Sequence, residues 1–186
     1  MKKGLTLFFI AFVILPVFIG GLSPSLSTSA YGQEKSQMAI ARLFDAKDNK
    51  VGVTTLTEGQ NGVIIVLQVY DLPPGYHGLH IHEKGKCEPP DYKSSGGHFN
   101  PYGREHGLKN PKGPHAGDLP NLLVGPDGKG AAVLIAPLVT LGPGENSLFR
   151  ENGTAIMIHD RPDDHMTHEH SGYAGGKIAC GVITKY

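Results

Sequence analysis

Six of the ten histidines in this 186-residue chain stand where imidazoles could converge on metal ions. His80 and His82 sit two apart in an apolar run. His98, His106 and His115 share a Gly/Pro-rich stretch with Asp118, and His159 follows far downstream. Side chains two apart on a strand point to one face, so His80 and His82 can present both rings to a single ion. Such a pair alone is weak evidence, because a solitary His-x-His more often decorates a surface or core. The second group changes the balance. Three imidazoles and one carboxylate from His98, His106, His115 and Asp118 form a closed tetrahedral set of the kind zinc favours. Without His98, the first pair and His159 still offer three imidazoles to a second ion, which suits copper.

Positioning such a set requires rigid elements, and the pattern supplies short β-type runs with no sustained helical periodicity. Candidate strands are 39–44, 51–57, 63–70, 78–82, 119–124, 131–135, 155–159 and 178–184. Turn residues separate several of them: Asp48-Asn49, Asn61-Gly62, Pro73-Pro74-Gly75, Pro126-Asp127-Gly128 and Asn152-Gly153. Two long stretches break the rhythm, 83–118 and 160–176, and they hold most of the histidines. Long loops in a compact β domain are usually functional. The implied architecture is an all-β antiparallel sandwich or flattened barrel with two elaborated loops.

At the N-terminus, Lys2 and Lys3 precede an apolar stretch from Leu5 to Leu22 and small residues ending in Ala30. This fits a secretory signal over residues 1–30, with an uncleaved N-terminal anchor as the competing reading. Either places the rest of the chain outside the cytoplasm. Residues 31–37 read as a flexible leader and 38–186 as one domain. Setting aside Lys2 and Lys3 leaves 15 basic against 17 acidic residues, with no basic run to hold nucleic acid. Membrane association is expected only through the N-terminal segment. The two cysteines, Cys87 and Cys180, invite a disulfide in an exported chain; two buried thiols, or a thiol pair assisting a metal, are the alternatives.

Read together, His77-Gly78-Leu79-His80-Ile81-His82, Gly97-His98-Phe99-Asn100-Pro101, His106-Gly107, His115-Ala116-Gly117-Asp118-Leu119, His159 with Asp163, and Ala179-Cys180-Gly181-Val182-Ile183 resemble the successive motifs of the copper,zinc superoxide dismutases. They follow the family's order and near its spacing from about Ala39 to Ile183. The resemblance implies a Greek-key, eight-stranded flattened barrel with one copper and one zinc per chain. It implies His80, His82, His98 and His159 as copper ligands and His98, His106, His115 and Asp118 as zinc ligands, with His98 as bridge and proton carrier. Asp163 matches a carboxylate that links His80 to His106, and His77 matches a structural histidine that binds no metal. The implied reaction dismutes superoxide to oxygen and hydrogen peroxide, protecting against superoxide outside the cytoplasm.

One departure stands out. Where the family usually carries an arginine three residues before the second cysteine, this chain has Lys177. The charge that attracts an anion survives, while the planar guanidinium that can brace on carbonyls is lost, so slower or more salt-sensitive capture is expected. The second loop also carries His165, His168, Glu169 and His170, read either as a solvated polar loop or as a metal-loading or pH-tuned element. The competing functions are a non-catalytic copper/zinc binding or delivery protein outside the cytoplasm, and a structural zinc-and-disulfide domain. The second leaves His80, His82 and His159 without a task. The resemblance also allows a homodimer, since the family includes homodimers with different interfaces.

Overall fold

The computed structural model describes residues 37–168 and 172–186. Among them are nine strands: β1 Met38–Phe44, β2 Lys50–Gly59, β3 Gly62–Val69, β4 Gly75–His82, β5 Asp118–Val124, β6 Gly130–Ala136, β7 Ala155–His159, β8 Lys177–Val182 and β9 Thr184–Lys185. They are ordered β2-β3-β6-β5-β4-β7-β8-β1-β9, and a β1–β2 ladder closes the first eight into an antiparallel barrel. The expected Greek-key barrel is therefore present, with β9 as an addition beside Ala39 and Ile40. The N-terminal segment 1–30, nearly all of the 31–37 leader, Glu169 and His170 lie outside the described residues. No described helix is long and apolar enough to cross a membrane.

Alternation builds the barrel. Val63, Ile65, Leu67 and Val69 of β3 and Leu119, Leu122 and Val124 of β5 point into one core with Leu43, Leu56 and Leu79. β4 departs from the one-face rule because both of its faces are covered. Leu79 and Ile81 join the core, while His77, His80 and His82 are also buried, at 2 %, 0 % and 2 % exposure. A strand whose outward face carries imidazoles can be buried only where loops cover it and supply polar partners.

Three long connections leave the barrel: 83–117, 137–154 and 160–176. The first and third are the two expected loops. The second was not distinguished in the sequence; it buries Val139, Leu141 and Leu148 against the core and brings no ligand-type side chain to the site. Cys87 and Cys180 form a disulfide that ties the first loop to β8. Tyr92, Ala155, Met157 and Cys180 pack as a satellite cluster beneath it, and the Tyr92 hydroxyl donates to the Phe44 carbonyl.

Candidate metal centre

Three backbone pairings bring the histidines together. His80 sits opposite Asp118 in the β4–β5 ladder, and β4 pairs with β7, which ends at His159. His82 bridges to His98, so the first loop runs as a short extra strand along the end of β4, fixed by Phe99 N–H to Ile81 O at 2.8 Å. Gly117 lies beside Phe99 on the same edge of Ile81, its carbonyl accepting the Ile81 N–H and its own N–H donating to Phe99 O; a Cβ at position 117 would collide with the Ile81 carbonyl oxygen. Only glycine lets the loop approach β4 this closely.

His80, His82, His98 and His159 have ring nitrogens mutually within 4.8 Å. Their tautomers follow from their partners, because carbonyl and carboxylate oxygens only accept. His80 Nε2 donates to Asp163 Oδ2 (2.7 Å), His82 Nδ1 to Gly96 O (2.9 Å) and His159 Nδ1 to Gly175 O (3.2 Å). That leaves His80 Nδ1, His82 Nε2 and His159 Nε2 buried without a hydrogen-bond partner. Buried orphan nitrogens are costly unless they serve as ligands, and these three converge with their other nitrogens fixed, as in metal-binding histidines.

The second set gathers around one oxygen. His98 Nδ1, His106 Nδ1 and His115 Nδ1 lie 2.9, 3.0 and 3.4 Å from Asp118 Oδ1. Asp118 Oδ2 is occupied separately by the N–H groups of Gly107 and His115. By mutual proximity alone, His80 rather than His115 would join His98, His106 and Asp118. With its Nε2 bonded to Asp163, His80 has only Nδ1 left, and that atom fits the first set; His115 Nδ1, itself without a hydrogen bond, completes the second. The residues thus fit two ions, one all-imidazole and one with three imidazoles and a carboxylate, and His98 belongs to both sets.

Asp163 joins the two groups from behind, accepting from His80 Nε2 at Oδ2 and from His106 Nε2 at Oδ1 (3.0 Å). Two features hold it there. The Asn121 amide clasps the Asp163 backbone, with Nδ2 donating to Asp163 O (2.8 Å) and Oδ1 accepting from Asp163 N (2.9 Å). Gly172, at φ 67, leaves room for the carboxylate where a Cβ would overlap Oδ1. Burial pushes the His80, His82 and His98 imidazoles down from the ordinary value, and His159 down to about 4, so all four favour the neutral form that binds metal. For His106 burial also lowers, but the Asp118 and Asp163 carboxylates outweigh it and raise the ring to about 9. Burial raises Asp118 and Asp163, yet the imidazoles against them, His106, His115 and His98 at Asp118 and His106 and His80 at Asp163, hold both well below the usual carboxylate range.

A pocket of about 510 Å³ opens onto the first set, lined by His82, His98, His159, Arg161, Tyr173 and Lys177 among others. Lys177 is half-buried, and its ammonium does brace on the backbone. Nζ donates to Tyr92 O (3.1 Å), Ser95 Oγ (3.0 Å) and Gly96 O (3.4 Å). What lysine lacks here is a spare donor, since an ammonium has three N–H bonds and a guanidinium five. Burial lowers the Lys177 pKa.

His77 is structural, its two ring nitrogens facing His159 O and Pro73 O at 2.7 and 2.8 Å. His168 Nδ1 accepts from the His106 N–H, and His165 O accepts from the Lys109 N–H, so both residues fasten the second loop to the first. Sequence reasoning missed Asn121, Ser95, Arg161 and Tyr173. An amide inside a strand pattern was a usable signal for Asn121, because Asn is depleted in strands. Nothing in the sequence marks the carbonyls of Gly96 and Gly175.

The family model described as copper/zinc superoxide dismutase matches residues 50–183. Superoxide dismutase (Cu-Zn) 2 of Aquifex aeolicus is 46 % identical over 166 residues, covering 88 % of this chain and 96 % of that protein. The superoxide dismutase-like protein YojM of Bacillus subtilis is 40 % identical over 161 residues, covering 85 % of this chain and 79 % of that one. The crystal structure of a SOD-like protein from Bacillus subtilis superposes with a TM-score of 0.74 at 41 % identity, covering 77 % of this chain and 96 % of that chain. The chain belongs to the copper/zinc superoxide dismutase family. It is an oxidoreductase of that family, with copper and zinc as its cofactors.

Proposed function

We propose that residues 38–186 dismute superoxide outside the cytoplasm at a copper/zinc pair bridged by His98, with residues 1–30 as the export signal or anchor and 31–37 as a leader. The observation that carries this reading is the set of three orphaned, neutral imidazole nitrogens beside a second set that shares His98. His80, His82, His98 and His159 would hold copper, and His98, His106, His115 and Asp118 would hold zinc. Bound copper supplies one-electron cycling, which zinc cannot. Everything else is the work of the chain. The Lys177 charge draws the anion into the pocket, and the walls orient it toward His82, His98 and His159. With Nδ1 directed at Asp118, His98 has Nε2 as the nitrogen able to take a proton and return it to the reduced product. Asp163 keeps His80 and His106 in their tautomers. Two superoxide ions and two protons give one oxygen and one hydrogen peroxide. The disulfide supports an oxidising compartment.

A second reading, metal binding or delivery without catalysis, draws support from the dismutase-like name of the Bacillus subtilis relative. One experiment separates the two. Bound copper and zinc are counted in the purified protein while superoxide decay is followed directly across ionic strength. One copper and one zinc per chain with fast, salt-suppressed decay is the expected result. Full metal loading without catalysed decay would refute dismutation and leave the ligands standing.

A further inference from the structure

Ser95 ends a one-turn 3-10 helix, Lys93–Ser95, and is fully buried at 0 % exposure. A buried serine needs partners for its hydroxyl, and this one has three. Its O–H donates to Tyr92 O at 2.7 Å, which turns the oxygen lone pairs the other way. There they meet Lys177 Nζ at 3.0 Å and His82 Nδ1 at 3.2 Å. Gly96 O accepts from the same two groups, His82 Nδ1 at 2.9 Å and Lys177 Nζ at 3.4 Å. One imidazole N–H and one ammonium are thus held by the same pair of oxygens, on the wall of the pocket that opens onto His82, His98 and His159.

We propose that Ser95 is a positioning residue that locks the Lys177 ammonium and the His82 ring into one unit, fixing the pocket's positive charge relative to the copper-binding imidazoles. A lysine head on a four-carbon stem is otherwise a mobile point charge, and two carbonyls alone leave one of its three donors seeking water. With Ser95 in place all three donors are engaged. The ammonium then acts on an incoming anion through its charge, from a fixed position, and not by a direct hydrogen bond. A guanidinium would not need the serine, because its five donors can reach Tyr92 O and Gly96 O unaided. Ser95 is what a lysine at this position requires.

The inference rests on the dismutase reading for its kinetic consequence but not for its geometry, so it is tested at both levels. In the metal-free full-length protein, the Lys177 ammonium should give a protected, slowly exchanging proton-nitrogen NMR signal that Ser95→Ala removes. A wild-type signal exchanging like that of a free lysine would overturn the clamp, whatever the enzyme does. In the metal-loaded protein, Ser95→Ala should lower kcat/KM for superoxide about three- to tenfold, the scale of one charge-assisted hydrogen bond, and flatten its salt dependence. In a Lys177→Arg background the same serine change should cost less than about twofold. Equal losses in both backgrounds would reduce Ser95 to a packing residue, and no loss in either would remove it from the account. If the wild-type protein fails to dismute superoxide, the proposed function falls, and the NMR comparison still decides the clamp.

Discussion

The two faces of β4 obey different rules. On the inner face, Leu79 and Ile81 touch an apolar core in which contacts are non-directional and a neighbour of similar volume would serve. On the outer face, His80 and His82 stand among loops, and every ring nitrogen either has a named partner or points at its fellows. The contrast shows how one short strand can serve as rigid scaffold and as ligand carrier at once. The core fixes the backbone, and the loops decide what each imidazole can do.

Adjacent positions on β4 should respond in opposite ways to truncation. His82→Ala should lower copper affinity by more than about 100-fold, beyond the loss expected when only a supporting residue is removed, and abolish catalysed superoxide decay. Stability of the metal-free protein should fall less than in an apolar core truncation, because the packing and the bond to Gly96 O lost with the ring are partly offset by removal of its buried orphan nitrogen. Ile81→Ala should do the reverse, losing about 2–5 kcal/mol in denaturant unfolding while the folded fraction still takes up copper. If Ile81→Ala proved the worse copper binder of the two, the division between faces would be wrong. Next in size is the disulfide. Replacing Cys87 and Cys180 by serine opens a closure of 93 residues, worth about 4–5 kcal/mol in the chain-entropy model, to be read from the shift in denaturant midpoint.

The outer face should also make the metal-free protein acid-sensitive. His159 is held down to about 4 when folded, against about 6.5 when unfolded, so below the unfolded value the unfolded chain binds the proton first. Its neutral burial therefore contributes stability that is lost as pH falls from about 6.5 toward 4. His106 runs the opposite way: raised to about 9, it adds stability below the unfolded value that disappears as pH rises through the folded one. Unfolding free energies measured across this range, in wild type and in His159→Ala, should show the acid-side slope shrink in the variant.

Smaller effects come from the supports. Asn121→Ala removes both bonds to the Asp163 backbone and should cost about 1–2 kcal/mol, with faster amide exchange over residues 160–168 and a metal affinity lower by about tenfold. Unchanged exchange in that segment would show that Gly172 and the metal ligands alone hold Asp163. Smallest is Lys177→Arg, expected to raise kcat/KM by about 1.5- to 5-fold and make it less salt-sensitive, the equivalent of an exposed ion pair. Wild-type kinetics equal to those of the variant would contradict a limiting role for lysine.

Eight strands were legible because alternation and turn residues both mark them, and Ala155–His159 was read to the residue. The last run, 178–184, takes in Thr184 but not the break at Ile183 that makes β9 a separate strand, since two exposed residues carry no alternation. The 137–154 connection carries no such mark, because Val139, Leu141 and Leu148 look like ordinary loop residues until their burial in the core is seen. Ligand-type side chains were legible because imidazoles and carboxylates are rare in such spacing. The surroundings of Lys177 were not, because Tyr92 O and Gly96 O are backbone oxygens that any residue could supply, and only the fold brings them to one point.

If His98 serves two metal ions at once, spins placed in the two sites must couple through its ring. The protein is loaded with Cu(II) in both sites and its electron paramagnetic resonance spectrum is compared with that of the copper-zinc form. A shared imidazolate predicts two coupled spins, with the isolated-copper signal suppressed relative to the metal content. Two independent copper signals that simply add would contradict the bridge and divide the centre into two separate sites.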